Sequence, residues 1–148
     1  MTDFAKLIPE LPNWNNGKGI DVASWIGCMG DFQKAIGYSV IFWPEFIEID
    51  GYVLRAGVTR EALQRWIEHC GTEKKSIEGT ANHLHIRDLQ YWNCPDATPE
   101  RLVYLGRVLK EIYECKLRRD FPERTFKVEF YEGDADDLDG FELTFYQE

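Results

Sequence analysis

At 148 residues, with 44% hydrophobic and 14% aromatic side chains, the chain holds enough apolar material for one domain with a substantial core. Its formal charge of −9 opposes contact with phosphate backbones and anionic lipid, so nucleic-acid and membrane-surface binding are disfavoured. The densest apolar run, Val40-Ile41-Phe42-Trp43, falls far short of the roughly 20 residues that span a bilayer.

Phe4, Leu7, Ile8 and Leu11 share a helical face that Pro9 limits to its first turns. The connector Pro12 to Gly19 is built from turn formers and lacks the spacing of a phosphate-binding loop. Asp21 is placed to cap a helix through Val22, Trp25 and Ile26, and Asp31 a second one from Phe32. Periodicity leaves residues 38–43 open between helix and strand, and Trp43-Pro44 ends whichever forms.

Asp50-Gly51 predicts a two-residue hairpin turn. Folding about it sets Ile49 opposite Tyr52, Ile47 opposite Leu54, Glu48 opposite Val53 and Phe46 opposite Arg55, with the first two pairs facing the core. Thr59 opens a helix carrying Leu63, Trp66, Ile67 and Cys70, which Gly71 closes. Thr72 is read as the cap of the next helix, with Ile77, Ala81, Leu84 and Asp88 at helical spacing and an end near Tyr91. Thr98-Pro99-Glu100 starts the strongest helix, which presents Leu102, Leu105, Leu109, Ile112 and Tyr113 to the core and stops at Pro122.

Two strands close the chain. Phe126, Val128 and Phe130, then Phe141, Leu143 and Phe145, alternate with polar residues, the period of a half-buried strand pair. Residues 129–148 also hold eight carboxylates and no Lys, Arg or His, so almost all of the net charge resides there. These elements predict a single α+β domain over residues 1–148. An antiparallel sheet of about four strands, in two hairpins, would be covered on one face by helices, leaving Glu48, Lys127, Glu129, Tyr131, Glu142, Thr144 and Tyr146 at least partly in water on the other.

Chemistry-bearing residues are few. His69, Cys70, His83, His85 and Cys94 are zinc-ligand types within 26 positions. On a helix His69 and Cys70 diverge by about 100°, and His83 and His85 point to nearly opposite faces, so no metal is expected. Cys94 with His83 or His85 would make a thiol–imidazole pair, but Trp92-Asn93-Cys94-Pro95 matches no nucleophile signature. Glu129 and Glu142 are candidates to face each other across the last hairpin, though without the cleft that paired-carboxylate catalysis requires. The EF-hand register fails, because counting back from Gly140 puts Ala135 first.

The acids therefore read as a surface. Glu129, Glu132, Asp134, Asp136, Asp137, Asp139 and Glu142, with Tyr131 and Tyr146, form the expected binding face for a basic protein partner. The alternative is a small enzyme or metal-binding protein using His83, His85 and Cys94. The start Met1-Thr2-Asp3-Phe4-Ala5-Lys6 lacks the pattern of a secretory signal, and the four cysteines include no CxxC pair. Both point to reduced thiols in the cytoplasm, and no cofactor is expected.

The stretch Asp21-Val22-Ala23-Ser24-Trp25-Ile26-Gly27 through Trp43-Pro44-Glu45-Phe46 and Asp50-Gly51 resembles a family of small uncharacterised bacterial proteins. In size and acidity the chain is similar to the immunity proteins of bacterial polymorphic-toxin systems. That resemblance implies a cytoplasmic, non-catalytic inhibitor of a basic toxin; it implies no catalytic residue.

Overall fold

The computed structural model describes residues 2–91 and 93–148. Met1 and Trp92, read above as part of the N-terminal pattern and of the loop before Cys94, lie outside them. Packing separates the chain into two compact units, residues 1–39 and 40–148.

In the first unit, helix α1 (Phe4–Leu7) stops ahead of Pro9. The turn α2 (Trp14–Gly17) carries Asn15 and Asn16 at φ of 55° and 56°, a left-handed backbone that asparagine tolerates. Asp21 accepts from the Ser24 amide at 2.9 Å and opens α3 (Val22–Met29). Asp31 does the same for the Lys34 amide at 2.8 Å and opens α4 (Phe32–Phe42). The stretch after Tyr38 is thus helical up to Phe42.

Past Pro44 the second unit forms β1 (Phe46–Ile49) and β2 (Tyr52–Arg55), paired in the expected register. Asp50 and Gly51 take φ of 53° and 83°, as the mirror-image turn between twisted strands demands. Both faces of this hairpin contribute to the core, not only the expected one, with Glu48 left exposed. Tyr52 and Leu54 pack with Leu63, Ile77 and Ala81, while Phe46 and Val53 join the larger core.

Thr59 caps α5 (Arg60–Cys70), its hydroxyl accepting from the Ala62 amide at 3.2 Å. Helix α6 (Lys74–Ala81) differs from the sequence reading at both ends: it starts from Glu73 rather than Thr72 and stops at Asn82. Beyond it come a short strand, β3 (Leu84–His85), and a 3₁₀ turn, Ile86–Leu89. Helix α7 (Pro99–Asp120) begins at Thr98 as expected and lays Leu102, Leu109, Tyr113 and Leu117 on the core. Strands β4 (Phe126–Tyr131) and β5 (Glu142–Gln147) pair antiparallel, and β3 adds to the far edge of β5.

The protein is α+β, but its strands form a two-stranded and a three-stranded antiparallel sheet rather than one of four. The physical reason is α6. Its side chains Glu78 and Asn82 occupy the open edges of β2 and β5 that one continuous ladder would have joined. Glu78 accepts from the amides of Val53 at 2.7 Å and Gln147 at 2.6 Å. Asn82 accepts from the Arg55 amide at 3.0 Å and donates to the carbonyls of Val53 at 2.9 Å and Phe145 at 3.2 Å.

The same helix covers part of the outer face expected to lie in water. It packs on β5 opposite α7, so Tyr146 is only 6% exposed and the Thr144 hydroxyl donates to the Gly79 carbonyl at 2.7 Å; Glu48, Lys127 and Tyr131 stay exposed, and Glu129, Glu142 and Thr144 half-exposed. Among the described residues no helix is long and apolar enough to cross a membrane.

Candidate metal centre

His83 and His85 flank Leu84 where the chain leaves α6 and enters β3. The opposed directions expected of a helix do not arise, because extended backbone turns residues i and i+2 to the same side. The two rings lie 4.6 Å apart between centroids. Pairing of β3 with β5 sets His85 opposite Glu142. Glu142 Oε1 stands 3.5 Å from His83 Nε2 and 3.6 Å from His85 Nδ1. One nitrogen from each ring and one carboxylate oxygen thus fall within 4.8 Å of one another.

The surroundings set the state of His85. Its Nδ1 lies 2.6 Å from the Asp139 carbonyl oxygen. A carbonyl only accepts, so Nδ1, the ring nitrogen that stands 3.6 Å from Glu142 Oε1, carries the proton in this hydrogen bond, and the lone pair that a cation needs lies on Nε2. The Asp139 carboxylate is tied to Arg87 at 3.0 Å, which helps hold the accepting Asp139 carbonyl in place. Loop closure helps: the backbones of Gly133 and Gly140 meet so closely that a Cβ on Gly133 would lie 2.6 Å from Gly140 C. Both histidine side chains are 38% exposed and Glu142 is 32% exposed, open enough for an ion to enter from solvent.

Cys94 does not belong to this cluster. It sits half-buried in the loop before α7, while His69 and Cys70 lie exposed on α5. The partner that sequence reasoning missed is Glu142. Its signal was present as His83-Leu84-His85, a period of two, but identifying Glu142 required the long-range pairing of β3 with β5.

The residues expected to form an acidic binding face have mostly found partners within the molecule. Glu129 opposes Thr144 and Glu142 opposes Tyr131, so these two acids do not face each other across the strands. Glu129 accepts from the hydroxyls of Tyr131 at 2.7 Å and Tyr146 at 3.0 Å and pairs with Lys127 at 2.7 Å. Glu132 takes both the Nε and Nη2 of Arg107, at 2.9 and 2.6 Å. Asp137 accepts from the Asp139 amide at 3.2 Å, and Tyr146 is buried. Asp134 and Asp136 are exposed and make no ion pair among the described residues, and Tyr131 is 49% exposed.

The Lys127 ammonium, aided by the two tyrosine hydroxyls, holds the Glu129 carboxyl down to about 2. An ordinary glutamate titrates near about 4.3. Because the folded value is the lower one, this group stabilises the fold above the ordinary value, and that contribution fades as pH falls toward 2. Glu129→Gln is therefore expected to flatten the loss of thermal stability between about pH 4.5 and 2. The effect should be on the order of 1 kcal/mol, since exposed Lys127 is screened by solvent. Thermal midpoints across that range give the check; an unchanged acid limb would contradict the assignment.

Compared with family models, with curated proteins and with solved structures, the chain matches none.

Proposed function

We propose that this protein binds a divalent transition-metal ion of the zinc class through His83, His85 and Glu142. The observation that carries the reading is the convergence of two imidazoles and a carboxylate within 4.8 Å. Metal–ligand bonds of roughly 2.0–2.2 Å in tetrahedral geometry separate donor atoms by about 3.3–3.6 Å. The 3.5 Å between His83 Nε2 and Glu142 Oε1 falls inside that range. The His85 ring, oriented by the Asp139 carbonyl, has the support from beyond the ligands that such sites use. The acids of residues 129–148 add a negative field that draws cations toward the site.

Three protein ligands leave a coordination position for water or substrate, the pattern of reactive rather than purely structural zinc sites. An ion held there would polarise a bound water or carbonyl. Equilibrium dialysis of chelator-treated protein against zinc, followed by elemental analysis, tests the reading. One equivalent is expected; retention of no zinc, manganese, iron or cobalt would overturn it.

A second reading keeps the immunity-type inhibitor of a basic protein partner, in a cytoplasmic setting. It is supported by Asp134 and Asp136, which are exposed and without ion pairs among the described residues, beside exposed Tyr131. Replacing Asp134 and Asp136 with lysine should slow capture of a basic partner at low salt by roughly tenfold or more, with the fold retained. Surface-plasmon association rates in low and high salt are the measurement. Equal rates for variant and parent would remove this reading.

A further inference from the structure

A cavity of about 830 Å³ opens in the second unit beside His83. Its walls are largely apolar, with Val40, Trp66, Leu84 and Leu89 among the lining residues. Arg55, the last residue of β2, also reaches it. The backbone of Arg55 is pinned by Asn82, and its Nη2 donates to the His83 carbonyl at 2.9 Å. Its Nε is buried and has no hydrogen-bond partner. Among the described residues, Arg55 makes no ion pair.

That combination is costly in an otherwise satisfied structure. A desolvated N–H without an acceptor forfeits a hydrogen bond, and a half-buried guanidinium without an anion forfeits its charge partner. A carboxylate is the group that supplies the missing charge partner, since it accepts from a guanidinium's terminal nitrogens through two oxygens, while the buried Nε itself offers a ligand no surface. Tyr113 places a phenol at the same guanidinium; burial pushes its pKa up, and the positive charge of Arg55 opposes that push. Glu45 and Asp88 line the cavity as well. Their charges disfavour a ligand with several negative groups and select one with a single anion. The volume lies within the range of small-molecule sites, and its apolar walls call for an apolar body.

We propose that the cavity binds a small monocarboxylate with an apolar tail, its carboxylate on Arg55 and its tail against Trp66, Leu84 and Leu89. The inference stands apart from the metal site, since every group it uses is present without an ion, although His83 would bring a bound carboxylate close to one.

The test is calorimetric titration of chelator-treated protein with octanoate and with its neutral counterpart octanamide. Octanoate should bind, and octanamide roughly tenfold or more weakly, because the hydrogen bonds to a charged group are lost. Arg55→Gln, which keeps a donor for the His83 carbonyl but removes the charge, should erase the difference. No octanoate binding, equal binding of the two probes, or a preference that survives in Arg55→Gln would each overturn the proposal. Should that variant fail to fold, the comparison of the two probes on the parent protein decides alone. Because no metal is present, failure here leaves the zinc reading untouched, and failure to bind zinc leaves this one standing.

Discussion

Asn82→Ala should destabilise the protein by about 3–5 kcal/mol, a large share of the 5–15 kcal/mol typical of a folded domain. One amide, fully buried, serves three backbone groups: the Arg55 N–H and the carbonyls of Val53 and Phe145. Alanine would leave all three desolvated and without partners, and each such group costs about 1–3 kcal/mol. The sum is tempered by relaxation and by entry of water. Asn82→Asp separates the parts, since it retains an acceptor for Arg55 but loses both donations. It also places a charge near the buried Glu78 carboxylate, so it should be at least as harmful. Urea unfolding gives the measurement, through a lowered midpoint at unchanged slope. A loss below about 1 kcal/mol would show that the edges of β2 and β5 do not depend on this side chain.

His85→Ala and Glu142→Gln should each lower zinc affinity by about 100-fold or more, about 2.8 kcal/mol at the tenfold-per-1.4 kcal/mol conversion. Each removes one of only three protein donors. In metal-free protein the same substitutions should change stability by less than about 1 kcal/mol, because partly exposed ion pairs contribute little. Cys94→Ser should leave zinc affinity unaltered, since Cys94 is not among the clustered donors. Loss of affinity in Cys94→Ser, or full affinity in Glu142→Gln, would reassign the ligands.

The contrast between legible and hidden features is physical. The Asp50-Gly51 hairpin and its register followed from a local code, since two adjacent residues suited to positive φ fix every pair that follows. The caps at Asp21, Thr59 and Thr98 were legible for the same reason: a side chain three residues from its amide reports on itself. The end of α6 was not, because Asn82 is claimed by strands remote in sequence and nothing local to it forbids another helical turn. That one miss hid the rest. With residues 83–85 read as helix, the two histidines diverge; with them extended, they converge on Glu142.

The acids of residues 129–148 illustrate the complementary error. Their number was plain, but their availability was not. Lys127 and Arg107 lie outside the segment that looked uniformly negative, and they reach back to Glu129 and Glu132. Counting charge along the chain overstated the free surface: Asp134, Asp136 and the last residue, Glu148, remain outward without side-chain partners among the described residues, and Asp137 holds only the Asp139 amide.

Cobalt(II) titration of the chelator-treated protein, followed by visible and near-ultraviolet absorption, tests the metal site most directly. Binding by two imidazoles and a carboxylate predicts visible ligand-field bands that saturate at one equivalent. It predicts no thiolate-to-cobalt charge-transfer band, and it predicts loss of the visible bands in Glu142→Gln. An unperturbed aqueous cobalt spectrum, or a thiolate band that Cys94→Ser removes, would contradict the assignment.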